Sequence, residues 1–163
     1  MYKNDRLIHA MIEYNRGDAK RIQHFLKVYE FASLIGRAEG LDERTRHVLE
    51  TAAIVHDIGI RKAEQIYGSS SGKHQEEMGP DEARILLNEL DYEEDVIERV
   101  CYLVGHHHTY DDIRGMDYQI LVEADFLVNL YEDGASVQAV KTAGNRIFKT
   151  KAGRKMLEIM YLY

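Results

Sequence analysis

Apolar residues in this chain recur three and four positions apart almost throughout, and they rarely alternate one-for-one with polar residues. That period belongs to helix faces rather than to half-buried strands, so it confines the chain to an all-α fold. A single proline, Pro80, stands in the sequence, and Asp and Gly divide the helical stretches. The pattern predicts a first helix over about 4–15, ended by Asn15-Arg16-Gly17. Asp18 caps a long second helix carrying Ile22, Phe25, Leu26, Tyr29 and Leu34, which stops at Gly40. Asp42 caps a third that runs through Val48, Leu49, Ala52, Ala53 and Val55 to His56-Asp57 and ends near Gly59.

Gly68-Ser69-Ser70-Ser71-Gly72 reads as a loop. Pro80 suits the first turn of a helix containing Ala83, Leu86 and Leu87, with Asp81 and Glu82 at its positive end. Asp91 is the expected cap of a helix whose inner face holds Val96, Ile97, Val100, Leu103 and Val104. Asp117 starts another, through Ile120, Leu121, Ala124, Leu127 and Val128 to Gly134, and two shorter helices follow around Gly144 and Gly153.

The 163 residues suit one domain, and 45% hydrophobic with 30% charged residues is an ordinary soluble composition. A net charge of −7 argues against a general nucleic-acid or membrane-surface binder. The lone cysteine, Cys101, in an apolar setting, reads as a buried structural thiol in a reducing compartment. No apolar run approaches the roughly 18 residues of a membrane span, and the N-terminus lacks a signal-peptide core, so a cytoplasmic location is expected.

Metal-ligand residue types gather along this frame at long intervals. His24 lies mid-helix between Ile22 and Phe25. His56-Asp57 ends the apolar run Thr51-Ala52-Ala53-Ile54-Val55, and Asp125 sits inside Val122-Glu123-Ala124-Asp125-Phe126-Leu127-Val128. A carboxylate in such a segment is costly to bury unless it is paired or bound to a cation. A lone histidine is more often a hydrogen-bonded boundary residue, and His9 and His47 are assigned to that class. For the set, one shared reason is simpler than several independent costs, and a metal in a helical core supplies it.

The order His24, His56-Asp57, Asp125, with "TAAIVHDIG" and "VEADFLVNL", resembles the signature of the HD-domain metal-dependent phosphohydrolases over about residues 18–130. The resemblance implies a single-domain HD-type helical bundle over 1–163, with the helices of 135–163 packed on the core. "KHQEEMGPDEARILL" and "VGHHHTY" are similar to the added histidine sites of HD subfamilies that bind two metals, which implies His74 and one or two of His106, His107 and His108 as further ligands. Helical spacing from Val100 and Val104 points to His107, and its interval to Asp125 resembles that of the HD-type dinucleoside tetraphosphatases. The cyclic-dinucleotide subfamily points to His106 with His107, although its "GYP" is absent here. His108 is the least favoured ligand and a candidate substrate contact.

The implied cofactors are two divalent ions (iron, manganese, zinc, nickel or cobalt) bridged by Asp57, and the implied substrate is a small phosphorylated molecule, a nucleotide first among them. Two such ions about 3.5–4 Å apart activate a water and clamp phosphoryl oxygens. Arg61 and Lys62 are the candidate cations for the phosphoryl charge, since Ile60 stands where many family members carry a lysine. Two other classes use the same residues: an idle HD module that binds a nucleotide or a protein, and an HD-type di-iron oxygenase. "GSSSGK" is not a phosphate-binding loop, because the following Ser or Thr and the preceding strand are missing.

Overall fold

The computed structural model describes residues 3–163 as nine helices, with no strand among the described residues. They are α1 (Lys3–Tyr14), α2 (Ala19–Ala38), α3 (Glu43–Val55), α4 (Gly59–Tyr67), α5 (Gly72–Glu89), α6 (Glu94–Val104), α7 (Met116–Glu132), α8 (Val137–Arg146) and α9 (Lys151–Tyr161). The expected all-α bundle is what the chain forms. The caps at Asp18 and Asp42 form as expected: their side chains accept from Arg21 N and Thr45 N and satisfy amides the helix start leaves free.

At the centre α2 packs on both α3 and α7, and α3 also touches α6 and α7. The end of α3, from Thr51 to Val55, is fully buried on every side, as is nearly all of α7 from Tyr118 to Asp125. Helices apolar all round can only be placed inside a bundle, so these two segments define the core. α4 and α5 form a hairpin continued by α6, and α8 and α9 pack on each other, with α9 against α7 and α2. No described helix is long and apolar enough to cross a membrane.

Four local expectations are corrected. The third helix stops at Val55, and a separate helix, α4, begins at Gly59; only Ile60 and Ala63 of α4 join Gly59 in the interior, too sparse a pattern to be read from sequence. Pro80 lies inside α5 rather than in its first turn, because Ser71 caps the helix at His74 N two turns earlier. Those earlier turns are held by contact: a Cβ on Gly79 would stand 2.6 Å from Val104 Cγ1. Asp91 is not a cap but takes a left-handed conformation (φ 57°), and α6 starts after Glu93 without a side-chain bond. Leu34 is exposed on the outer side of α2.

Candidate metal centre

Helix α2 brings in His24, the turn after α3 brings in His56 and Asp57, and α7 brings in Asp125. His24 Nε2 lies 3.2 Å from His56 Nε2 and 3.1 Å from Asp125 Oδ1. Asp57 Oδ2 is 3.3 Å from the Nε2 of both histidines. His56 is fully buried, and His24 and Asp125 nearly so.

The other ring nitrogens explain why these atoms face each other. His56 Nδ1 donates to Ala53 O at 2.7 Å, and His24 Nδ1 to Glu132 Oε1 at 3.1 Å. With Nδ1 engaged as a donor, Nε2 is the nitrogen each ring turns toward the carboxylates; it carries a proton when the imidazole is charged and offers its lone pair to a cation when it is neutral. Glu132, two turns beyond Asp125 on α7, also pairs with Lys27 at 3.0 Å.

His107 repeats the pattern from the turn after α6. Its Nδ1 donates to Val104 O at 2.8 Å. Its Nε2 is buried without a hydrogen bond, 3.4 Å from Asp57 Oδ1. A buried nitrogen left without a partner is costly unless something else meets it. Asp57 therefore presents one oxygen to His24 and His56 and the other to His107. Two ligand groups result, His24/His56/Asp57 and Asp57/His107/His108, sharing Asp57, with Asp125 against the first. The donor set fits one or two divalent cations.

Electrostatics agree with that fit. Burial opposes charge on His56, but the Asp57 and Asp125 carboxylates outweigh it and hold its pKa well above the usual range. Burial likewise opposes charge on His24, and the bond to Asp125 reverses it, so its pKa is also raised. Burial would push Asp57 up, yet the His56 charge, with the His107 and His56 imidazoles against its two oxygens, holds it well below the usual carboxylate range. Asp125 is held low in the same way by His24 and His56. The site is built for positive charge between two carboxylates.

Other expected residues lie elsewhere. The His106 ring stacks on Tyr102 (centroids 4.1 Å apart), with Nδ1 on Tyr102 O at 2.7 Å. The His74 ring stacks on Tyr67 at 4.0 Å and joins neither ligand group. Arg61 bonds Tyr14 O at 2.5 Å, and Lys62 pairs with Glu82 at 2.8 Å, so both turn toward α1 and α5. His108, least favoured from sequence, is beside the cluster; its Nε2 donates to Gln75 Oε1 at 2.8 Å, and Gln75 is itself fixed by Ser70 O. Burial, with the His107 imidazole next to it, pushes the His108 pKa down to about 4. The triplet is pinned by Tyr118 Oη, whose one proton is shared between His106 O, at 2.7 Å, and Thr109 O.

The cluster opens into a cavity of about 370 Å³ between the start of α2 and the end of α7. His24, Asp57 and Asp125 form its floor, and Lys20 and Arg21 are the cations in its wall. Sequence reasoning missed Lys20, Arg21, Gln75 and Glu132. Only Glu132 left a trace, as a carboxylate seven residues after Asp125 on one helix face.

No curated protein matches the chain significantly. Among solved structures it resembles the crystal structure of a predicted HD superfamily hydrolase from an uncultured Thermotogales bacterium, with 25% identity and a TM-score of 0.71 over 97% of this chain and 84% of that one. The HD domain model matches residues 21–147, which contain His24, His56-Asp57, His107 and Asp125. This chain belongs to the HD domain family.

Proposed function

We propose that the chain is a metal-dependent phosphohydrolase acting on a small phosphorylated molecule. One observation carries the reading: Nε2 atoms of three histidines from separate elements converge on the two oxygens of Asp57 at the floor of a cavity walled by Arg21 and Lys20. His24, His56, Asp57 and Asp125 hold one divalent cation, and Asp57 and His107, with His108 beside them, hold a second. Such ions supply Lewis acidity and lower the pKa of water.

The chain's own groups do the rest. Lys20 and Arg21 place positive charge where phosphoryl oxygens enter, a role expected of Arg61 and Lys62, which the fold directs elsewhere. Glu132, Ala53 O and Val104 O fix the imidazole tautomers, and Gln75 orients His108. A cavity of this size takes one small ligand. Nucleotides are the first class that the family resemblance puts on a substrate panel, beside phosphomonoesters without a base. The likeness to a predicted HD superfamily hydrolase from an uncultured Thermotogales bacterium supports hydrolysis over an idle binding module.

The test is phosphate release from such a panel with manganese or iron, compared with the His56→Ala, Asp57→Ala double variant. Release by the wild type and its loss by a factor of at least about 10³ in the double variant are expected, since the groups that hold the ions are gone. Equal release by the two proteins refutes the site. No release from any substrate by the metal-loaded wild type favours the binding-module reading.

A further inference from the structure

The cavity wall bears on what the phosphoryl group is attached to. Ile60 is the only apolar side chain among the lining residues. A nucleobase has flat faces as well as polar edges, and sites that hold one commonly stack those faces on aliphatic or aromatic side chains; the two imidazoles of this lining, His24 and His108, are engaged in the ligand cluster and by Gln75. Here Tyr110, bonded to His108 and packed edge-on against Phe126, does not line the cavity, and Tyr67 is covered by His74.

The wall carries hydrogen-bonding groups in a definite order. Asp125 and Asn129 of α7 and its C-cap residue Asp133 follow at four-residue steps and all line the cavity, so they share one side of the helix from the ligand cluster to its end. At 1.5 Å per residue, Asn129 stands about 6 Å and Asp133 about 12 Å along the helix from Asp125. Asp18, before α2, and Ser70, before α5, line the same cavity. Glu132 is engaged by His24 and Lys27, whereas Asn129 and Asp133 have no such side-chain partner among the described residues.

Charge weighs against a second class. A polyphosphate leaving the cluster along this face would run past the carboxylates of Asp133 and Asp18, and like charges at such range repel. Arg21 is shared with Asp18 and Glu64, at 3.4 and 3.3 Å, so with Lys20 it supplies charge for one phosphoryl group rather than for a chain of them. Neutral hydroxyls, in contrast, donate readily to carboxylates and to an amide oxygen.

We infer that the substrate is the phosphomonoester of a small polyhydroxylated molecule, a sugar or polyol phosphate, with its phosphoryl group at the His/Asp cluster and its hydroxyls on Asn129 and Asp133. This rests on the phosphohydrolase reading. Hydrolysis breaks the ester P–O bond, forms a P–O bond to water and returns a proton to the leaving oxygen, yielding inorganic phosphate and the free polyol.

Ribose 5-phosphate and adenosine 5′-monophosphate share the phosphoryl group and the ribose and differ in the base, so they separate the possibilities. With the manganese-loaded full chain, kcat/KM is expected to be at least about tenfold higher for ribose 5-phosphate, and calorimetric Kd values should fall in the same order, because the base finds no apolar wall. Asn129→Ala and Asp133→Ala should each lower the preference for ribose 5-phosphate over p-nitrophenyl phosphate about tenfold, the usual cost of an unpaired polar contact. An equal or reversed order of the two substrates, or a parallel fall on both substrates in the variants, overturns the inference and leaves the phosphohydrolase reading standing. No hydrolysis of any phosphoester overturns both.

Discussion

Glu132 accepts a hydrogen bond from His24 Nδ1 at 3.1 Å and thereby decides that Nε2 is the nitrogen facing Asp57 and Asp125. Residues that orient a ligand from behind commonly change metal affinity 10–100-fold when altered. Glu132→Gln keeps the shape but removes the charge, so manganese affinity measured by calorimetry should fall about tenfold with the fold intact. Unchanged affinity would show that α2 packing alone orients His24. His24, His56, Asp57 and Asp125 were legible in the sequence because each is an expensive group inside an apolar stretch. Glu132 was not, because its partner lies 108 positions away and a carboxylate near a helix end has nothing unusual about it. Arg61 and Lys62 misled for a related reason. They follow Asp57 closely in sequence, but α4 turns both toward α1 and α5.

The junction of α3 and α4 sets the direction of the His56-Asp57 pair, and Gly59 makes it possible. A Cβ there would lie 2.6 Å from both Gln75 O and Gly79 N, on a backbone that cannot move aside. Gly59→Ala should cost roughly 1–3 kcal/mol by overpacking, read as a lower urea midpoint, and it should weaken metal binding as α5 is displaced. Wild-type stability in this variant would mean that the α4–α5 hairpin has room to open.

On the side of α7 opposite Asp125, Glu123 is fully buried and accepts from Thr150 N and Thr150 Oγ1 at the start of α9. Burial pushes its carboxyl above the usual 4.5, outweighing the bonds from Gln119 and Thr150. A group whose folded pKa is raised favours the folded state fully below its unfolded value, and that advantage is lost as pH rises through the folded value. Glu123→Gln has no proton to lose. The Tm difference between variant and wild type should therefore shift in the variant's favour as pH rises from about 4.5 toward neutrality. A difference constant with pH would show that ionisation of Glu123 carries no folding cost. Helix periods and the caps at Asp18 and Asp42 announced most of the elements. The start of α5 did not announce itself, because Ser71 caps it inside what reads as a Gly/Ser loop.

Across the whole molecule, the ligand cluster joins α2, the α3–α4 turn, the turn after α6 and α7, so a bound cation clasps the centre of the bundle. A ligand that binds only the folded chain at 100 times its Kd adds about 2.7 kcal/mol. For a chain of this size, that is a rise of about 5–10 °C in Tm, which a thermal melt with manganese against a chelator-treated control would show. Identical melts would mean that the folded cluster does not hold the ion. By itself the sequence determined the all-α class and the apolar faces that build the core, since helical period is a local property, and the cost of burying His and Asp together with one family signature singled out four candidate ligands. Only the tertiary structure decided that His107 rather than His106 enters the cluster, that Lys20 and Arg21 line the cavity, and that Asn129 and Asp133 rise along its wall. Those facts depend on how the α2, α6 and α7 ends meet, and contacts between segments a hundred residues apart leave no period in the chain.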